Sequence, residues 1–141
     1  PTRATPPPSF AAQKYRTAAL AHGAWHIAMD FAAELVVCWS QHGGTARFLS
    51  QNNFRIPIVA YSSDPRFTRR MAVLGGVSPM LRDGPRSIDD WVKMVDEDLV
   101  AKGWAQDGTR IVLVAGEPLG FSKTKSSVIT HIVHGPGRGG V

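Results

Sequence analysis

Glu34-Leu-Val-Val-Cys-Trp39 is a short run that is apolar after Glu34, and the turn Ser40-Gln-His-Gly-Gly-Thr45 follows it without a break. A short, continuously apolar run is typical of a strand that is buried on both faces of a sheet. The residues from Gly43 to Gln51 then have the composition and spacing of a helix. A strand, a glycine-containing turn and a helix in this order often bind an anion, because the turn and the helix both direct backbone N–H groups toward it.

The alternation of strands and helices continues on both sides of this stretch. The predicted strands are Glu34–Trp39, Ile56–Tyr61, Val77–Leu81, Arg110–Ala115 and Ser127–His134. The predicted helices are Lys14–Phe31, Gly43–Gln51, Pro65 to about Leu74 with Ser63 or Asp64 as its cap, and a long helix capped by Ser87. Such alternation predicts a parallel sheet with helices on both faces, and the last strand, which no helix precedes, is expected to be antiparallel. The expected fold is an α/β three-layer α/β/α sandwich with a five-stranded mixed sheet.

The length and composition fit one domain with two tails. The chain has 141 residues, of which 43% are hydrophobic, enough for a single core. Residues 1–13 are rich in proline and residues 136–141 are rich in glycine. We therefore expect a flexible N-terminal segment at 1–13, an α/β domain at 14–135 and a flexible tail at 136–141.

Most of the net positive charge of the chain lies near its two ends. The formal net charge is +5, but Thr17 to Gly135 contains 12 Lys and Arg against 11 Asp and Glu, a net of +1. A broad surface for nucleic-acid backbones is therefore not expected. Five arginines lie between Arg47 and Arg70, against one aspartate. This local excess is interpreted as a solvated face.

The sequence disfavours a disulfide, a metal site, a transmembrane span and a signal peptide. The single Cys38 excludes an internal disulfide, and we interpret it as a small buried apolar residue. His22 and His26 lie four residues apart on one predicted helix but lack a third ligand at a suitable spacing, so no metal site is expected. No apolar run approaches 18 residues and no signal peptide is evident, so a cytoplasmic protein is expected.

Two loops leave the carboxyl ends of predicted strands with residues suited to phosphate. The first contains Ser40, Gln41, His42, Gly43, Gly44 and Thr45. The second follows the Arg110–Ala115 strand and contains Ser122, Lys123, Thr124, Lys125 and Ser126. If their strands are neighbours, both loops lie at one edge of the sheet, where open α/β sheets bind ligands. The alternatives are an ordinary tight turn with Thr45 as a helix cap, and a solvated second loop.

The order of these segments resembles the C-terminal domain of pyruvate kinase. Ser40–Ser50 (SQHGGTARFLS) resembles its T-E-S-G-x-T-A-R-x-x-S segment, and Leu74–Leu81 resembles its L-x-x-G-V-x-P-x-L. Gly108–Ala115 is similar to G-D-x-V-V-V-x-A, and Gly116–Ser122 is similar to G-x-P-x-G-x-S. The resemblance covers roughly Ala18 to His134.

The resemblance implies a five-stranded sheet with four parallel strands and one antiparallel strand. It also implies binding of phosphorylated effectors such as fructose 1,6-bisphosphate, packing against a second copy in a tetramer, and catalysis by a separate barrel domain. Carried over, Ser40–Thr45 would hold a phosphate and Ser122–Ser126 would close over the ligand. The sequence departs from the family at His42, where serine is common, at Gly44, where a basic or polar residue is usual, and at Lys123, Lys125 and Ser126, where Gly-Thr-Asn is usual.

Three functions stay open at this point. The leading prediction is a non-catalytic regulatory domain that binds a sugar phosphate or a nucleotide monophosphate between the two loops, as a homo-oligomer or beside a pyruvate-kinase-like catalytic domain. The second is an oligomerisation or interaction domain with a degenerate effector site, of which Gly44 would be the sign. The third is a small enzyme that uses His42 or Cys38, for which no third catalytic group is evident. No cofactor, metal, nucleic acid or membrane is expected as a partner.

Overall fold

The computed structural model describes residues 9–52, 55–115 and 126–136, with side chains from Arg16 onward. These residues form helices and strands that alternate along the chain. In order, they are α1 (Ser9–Phe31), β1 (Leu35–Trp39), α2 (Gly44–Gln51), β2 (Ile58–Ser62), α3 (Pro65–Met71), β3 (Val77–Leu81), α4 (Ile88–Ala101), β4 (Arg110–Ala115) and β5 (Ser127–Ile132).

The five strands form one mixed sheet in the order β3-β2-β1-β4-β5. The first four strands are parallel, and β5 pairs with β4 in the antiparallel direction. Eleven residues (116–126) connect β4 to β5, slightly fewer than the dozen or more of a usual parallel crossover, which agrees with the antiparallel direction. The predicted α/β fold with four parallel strands and one antiparallel strand is confirmed.

The apolar residues of the central strands divide between two cores. In β1, Val36 and Cys38 pack on the face covered by α1, α2 and α3, whereas Val37 and Trp39 pack on the face covered by α4. All five residues of this strand are buried. Burial on both faces is the reason that the strand is apolar throughout.

The starts of α3 and α4 follow their capping residues as predicted. The Asp64 carboxylate accepts a hydrogen bond from the Arg66 N–H, and Pro65 occupies the first position of α3. The Ser87 hydroxyl accepts from the Asp90 N–H at the start of α4. These contacts satisfy N–H groups that have no partner within the helix.

Two helix boundaries differ from the predictions. Helix α1 begins at Ser9, before the predicted start at Lys14, because the residues between them are mostly good helix formers. Helix α3 ends at Met71 and not near Leu74. There the Leu74 N–H donates to the Met71 carbonyl three residues back, so the chain continues as turns toward the two glycines that follow.

The boundaries of β2 and β5 also differ. Strand β2 begins at Ile58, two residues after the predicted Ile56, and Pro57 contributes only its carbonyl, which accepts from the Val36 N–H. Strand β5 ends at Ile132 and not at His134.

Candidate functional site

The first predicted loop leaves the sheet beside the end of β4, the strand that precedes the second predicted loop. Strand β1 lies between β2 and β4, and Trp39, its last residue, is aligned with Tyr61 on one side and Ala115 on the other. The turn after Trp39 and the segment after Ala115 therefore leave the same edge of the sheet. This is the carboxyl edge, where ligands bind in folds of this class.

The turn after β1 is built around a left-handed glycine and a buried serine. Gly43 has φ 87°, a backbone conformation that other residues rarely adopt. The hydroxyl of Ser40 is buried and accepts from the Ala46 N–H at 3.1 Å, which caps α2 from six residues away. The Ser40 carbonyl also accepts from the Gly43 N–H. Ser40 therefore fixes the start of the helix.

The Gln41 side chain ties the end of β1 to the end of β2. Its Oε1 accepts from the indole Nε1 of Trp39 at 3.0 Å and from the Ser63 N–H at 3.2 Å. Its Nε2 donates to the Ser63 hydroxyl at 2.6 Å. The backbone carbonyl of Gln41 accepts from the Ser62 hydroxyl. The side-chain amide of Gln41 thus makes three hydrogen bonds, to the Trp39 indole and to the N–H and hydroxyl of Ser63, and these hold the turn in one orientation.

Thr45 presents a polar group without a partner. The residue is fully buried in the first turn of α2, and its Oγ1 has no hydrogen-bond partner in the part of the chain that the structure describes. The amides of Gly44 and Thr45 belong to the same first turn, where no intrahelical acceptor is available. Because buried polar groups are nearly always satisfied, this hydroxyl is an exception among the buried polar groups of the described residues, as is the indole Nε1 of Trp91.

Phe67, on α3, lies between the turn and two arginines of the same helix. The His42 ring meets the Phe67 ring edge-on at a centroid distance of 5.1 Å. The guanidinium of Arg70 lies 5.1 Å from the centroid of Phe67, and that of Arg66 lies 5.8 Å from it. Among the described residues, Arg70 has no carboxylate partner.

Arg66 differs from Arg70 because it is already paired. Its guanidinium donates to both carboxylate oxygens of Asp64, at 3.2 and 2.8 Å. Hydrogen bonds from the Arg66 side chain and backbone lower the pKa of Asp64 to about 2. Arg69 and Arg70, in the last turn of α3, have no such carboxylate partner among the described residues.

Of the second predicted loop, only its last residue lies in the described part of the chain. The Ser126 hydroxyl accepts from the Nε of Arg16, on α1, at 3.2 Å. Ser122, Lys123, Thr124 and Lys125 lie outside the described residues. Arg16 therefore adds a positive charge beside the end of β4. Nothing in the sequence predicted that Arg16 would lie there.

A second polar cluster lies at the β2–β3 side of the same edge. The Asp98 carboxylate, on α4, accepts from the buried Tyr61 hydroxyl at 2.9 Å and from two nitrogens of Arg82. Burial, followed by the charge of Asp98, raises the pKa of Tyr61 well above its usual value. These contacts join α4 to the ends of two strands, beside an open cleft of about 390 Å³ lined in part by Ser63 and Arg82.

Cys38, a metal site and a membrane span remain to be compared with the structure. Cys38 is fully buried in the core under α1, α2 and α3. In the described ranges, no group of three or more His, Cys, Asp or Glu side chains is arranged to hold a metal ion. None of the helices within these ranges is both long and apolar enough to cross a membrane.

Sequence reasoning missed Arg16, Phe67 and Arg70 as members of this edge. Arg16 lies in the predicted helix Lys14–Phe31, next to the N-terminal segment, and was given no role, and the excess of arginine between Arg47 and Arg70 was interpreted as a solvated face. That excess was the only signal for the basic face of α3. The contact between His42 and Phe67 joins residues far apart in the sequence, and no local pattern predicts it.

A family model and individual proteins match this chain. The model described as "Pyruvate kinase, alpha/beta domain" matches residues 18–130. Pyruvate kinase from Lactococcus lactis is 31% identical over 99 residues, which are 70% of this chain and 19% of that protein. Pyruvate kinase from Clostridium acetobutylicum is 27% identical over 111 residues, 79% of this chain and 24% of that protein. The chain thus spans about a fifth to a quarter of the curated relatives that it matches.

A solved structure has the same fold. The crystal structure of pyruvate kinase from Cryptosporidium parvum superposes with a TM-score of 0.69 and covers 92% of this chain and 23% of that one. The two sequences are 16% identical in this comparison, so the similarity concerns the fold alone.

Proposed function

Because the chain belongs to the pyruvate kinase α/β domain family, we propose that this regulatory-type domain binds a phosphorylated metabolite at the carboxyl edge of its sheet. The proposed site lies between Ser40–Thr45 and the predicted loop Ser122–Ser126. The domain senses the metabolite and does not transform it. The metabolite class is a sugar phosphate or a nucleotide monophosphate.

One observation carries the proposal: the fully buried Thr45 hydroxyl, which has no partner among the described residues. A phosphate oxygen that accepts from this hydroxyl and from the amides of Gly44 and Thr45 would satisfy all three groups. The positive end of the α2 dipole would favour the same anion.

The surrounding charge supports the same assignment. The guanidinium of Arg70 and the ring of His42 both contact Phe67, which lies next to the turn. A guanidinium stacked on an aromatic ring keeps its in-plane donors available for an anion. This charge offsets the missing basic side chain at Gly44.

The proposal is tested first with an NMR titration of the labelled chain. The ligands are fructose 1,6-bisphosphate, ribose 5-phosphate, glucose 6-phosphate and AMP. Shifts concentrated at Ser40–Thr45 and at 122–126 are expected, and the ligand with the highest affinity identifies the metabolite class. If none of the four ligands shifts these resonances at millimolar concentration, the proposal is wrong.

Thr45→Val separates a ligand role from a structural one. The substitution removes an unsatisfied buried hydroxyl, so the free energy of unfolding of the ligand-free chain should stay unchanged or rise. Affinity for the phosphorylated ligand should fall about tenfold or more, since a hydrogen bond to a charged group is lost. Thr130→Val, on the exposed face of β5, is the matched control and should change neither quantity. A loss of stability with unchanged affinity would assign Thr45 to the fold.

The second loop is tested with Lys123→Ala combined with Lys125→Ala. We expect weaker ligand binding, because two cations that pair with phosphate are removed. Lys93→Ala combined with Lys102→Ala removes the same charge from exposed positions at or next to α4 and is the control. Equal affinity of the two double variants would remove this loop from the site.

The edge strand β5 favours a second function, assembly with another copy of this chain or with a catalytic domain. Its outer edge has no partner strand within the described sheet, and Ile132 on it is 49% exposed. Unpaired edges readily add a further strand. Sedimentation of the chain should show a dimer that Ile132→Lys dissociates, and a monomer at all concentrations would exclude assembly of the chain with itself.

A further inference from the structure

Two histidines on α1 direct their ring nitrogens toward each other at the protein surface. The Nε2 atoms of His22 and His26 are 3.3 Å apart, and both side chains are exposed. The two residues are separated by four positions, which places them on one face of the helix, one turn apart. The distal nitrogen of each ring faces the same small volume of solvent.

The distance between these nitrogens fits chelation of a metal ion. A zinc–imidazole bond is about 2.0–2.1 Å, so two such bonds at the tetrahedral angle place the nitrogens about 3.3–3.4 Å apart. The metal would replace the single hydrogen bond that now joins the rings, and a small rotation of the exposed side chains would align both lone pairs.

We propose that His22 and His26 form a two-imidazole site for a zinc-class divalent ion, with water completing the shell. Neutral imidazole suits zinc, copper and nickel, and the separation favours tetrahedral zinc. No third His, Cys, Asp or Glu of the described residues completes the site. Two protein ligands and open water positions make the site exchangeable, unlike a structural zinc centre.

The position of Gly23 gives the bound ion a physical consequence. Gly23 lies inside the turn that the two histidines span, and a Cβ at that position would meet nothing within 4 Å. The glycine therefore serves no close packing, and it weakens the helix. An ion that bridges His22 and His26 fixes this turn, so metal binding and the order of α1 are coupled.

Asp30 favours a cation on the same face. It is exposed and lies one turn beyond His26, so its negative charge acts on the site from a short distance without coordinating the ion.

Calorimetric titration of the full chain with zinc chloride tests the site. We expect one ion per chain, and roughly a hundredfold weaker binding for His22→Gln or His26→Gln, because the second imidazole of a chelate binds at a high effective concentration. His134→Gln alters another exposed histidine and should leave the affinity unchanged. Circular dichroism confirms that each variant is folded.

Hydrogen exchange supplies an independent readout. Zinc should slow the exchange of amides around Gly23 in the unaltered chain, and this effect should shrink in Gly23→Ala, where the helix is already strengthened. Equal zinc affinity for the unaltered chain and His26→Gln, or one ion per two chains, would overturn the proposal.

Discussion

Gly43→Ala should destabilise the protein although the added methyl group has room. A Cβ at this position would lie 3.6 Å from Cγ of Met71, an ordinary van der Waals contact, so no clash is expected. The cost comes from the backbone, because φ is 87° and the left-handed region costs an alanine about 1–2 kcal/mol. Alanine also loses less entropy on folding than glycine, which returns about 0.4–1 kcal/mol. The expected net loss is about 1 kcal/mol of unfolding free energy.

The same substitution at Gly23 should have the opposite sign. Gly23 lies inside α1 with open space around it, so Gly23→Ala should raise the free energy of unfolding by about 0.8–1 kcal/mol. Gly43→Asn should recover much of the loss caused by alanine, since asparagine tolerates the left-handed region. Urea unfolding measures the free energy of unfolding of all three variants, provided that its dependence on urea concentration has the same slope in each. A neutral Gly43→Ala, or an asparagine variant as unstable as the alanine variant, would refute the reasoning.

Three further outcomes follow from the polar contacts. Asp98→Ala should lower the free energy of unfolding by about 2–4 kcal/mol in urea, because the buried Tyr61 hydroxyl loses a charged acceptor and the half-exposed Arg82 loses its partner. The folded pKa of Tyr61 lies above the unfolded value of 10.0, so stability should fall as pH rises above 10, and Tyr61→Phe should flatten this dependence. Asp64 should titrate at a pKa of about 2 by NMR, and Arg66→Gln should move that pKa up toward 3.8.

Much of the fold could be predicted because its signals are local. The residues of β1, and those of β4 after the exposed Arg110, are apolar throughout, which predicts strands buried on both faces, and the sheet places both strands in its interior. Pro65 and Ser87 marked the starts of two helices through capping chemistry that acts within a few residues. The end of α3 at Met71 could not be predicted as well, since the following residues stay in turns that differ little in composition from a helix.

The candidate site was less predictable because its contacts are not local. The sequence predicted a strand-to-helix turn at Ser40–Thr45, but it gave no sign that the Gln41 amide would bind Trp39 and Ser63. The contact of Arg70 with Phe67, beside His42, depends on how α3 packs against the turn. Polar residues in a loop can serve the fold or a ligand, and only their partners distinguish the two.

The partners within the turn divide its residues into two roles. Ser40 and Gln41 use their side chains to cap α2 and to join β1 to β2, so they hold the helix start in place before any ligand arrives. Thr45 is the residue of this turn whose buried hydroxyl is unsatisfied in the described part of the chain. Because these hydrogen bonds already order the turn, a ligand that binds there would lose less conformational entropy in ordering it, which favours affinity. If the proposed ligand binds here, its specificity would depend on charged groups near the helix start, such as the guanidinium of Arg70 beside Phe67. Under the proposed function, the departures from the family at Gly44 and Lys123 change which basic side chains are available to a ligand, whereas the contacts of Ser40 and Gln41 keep the helix start in place.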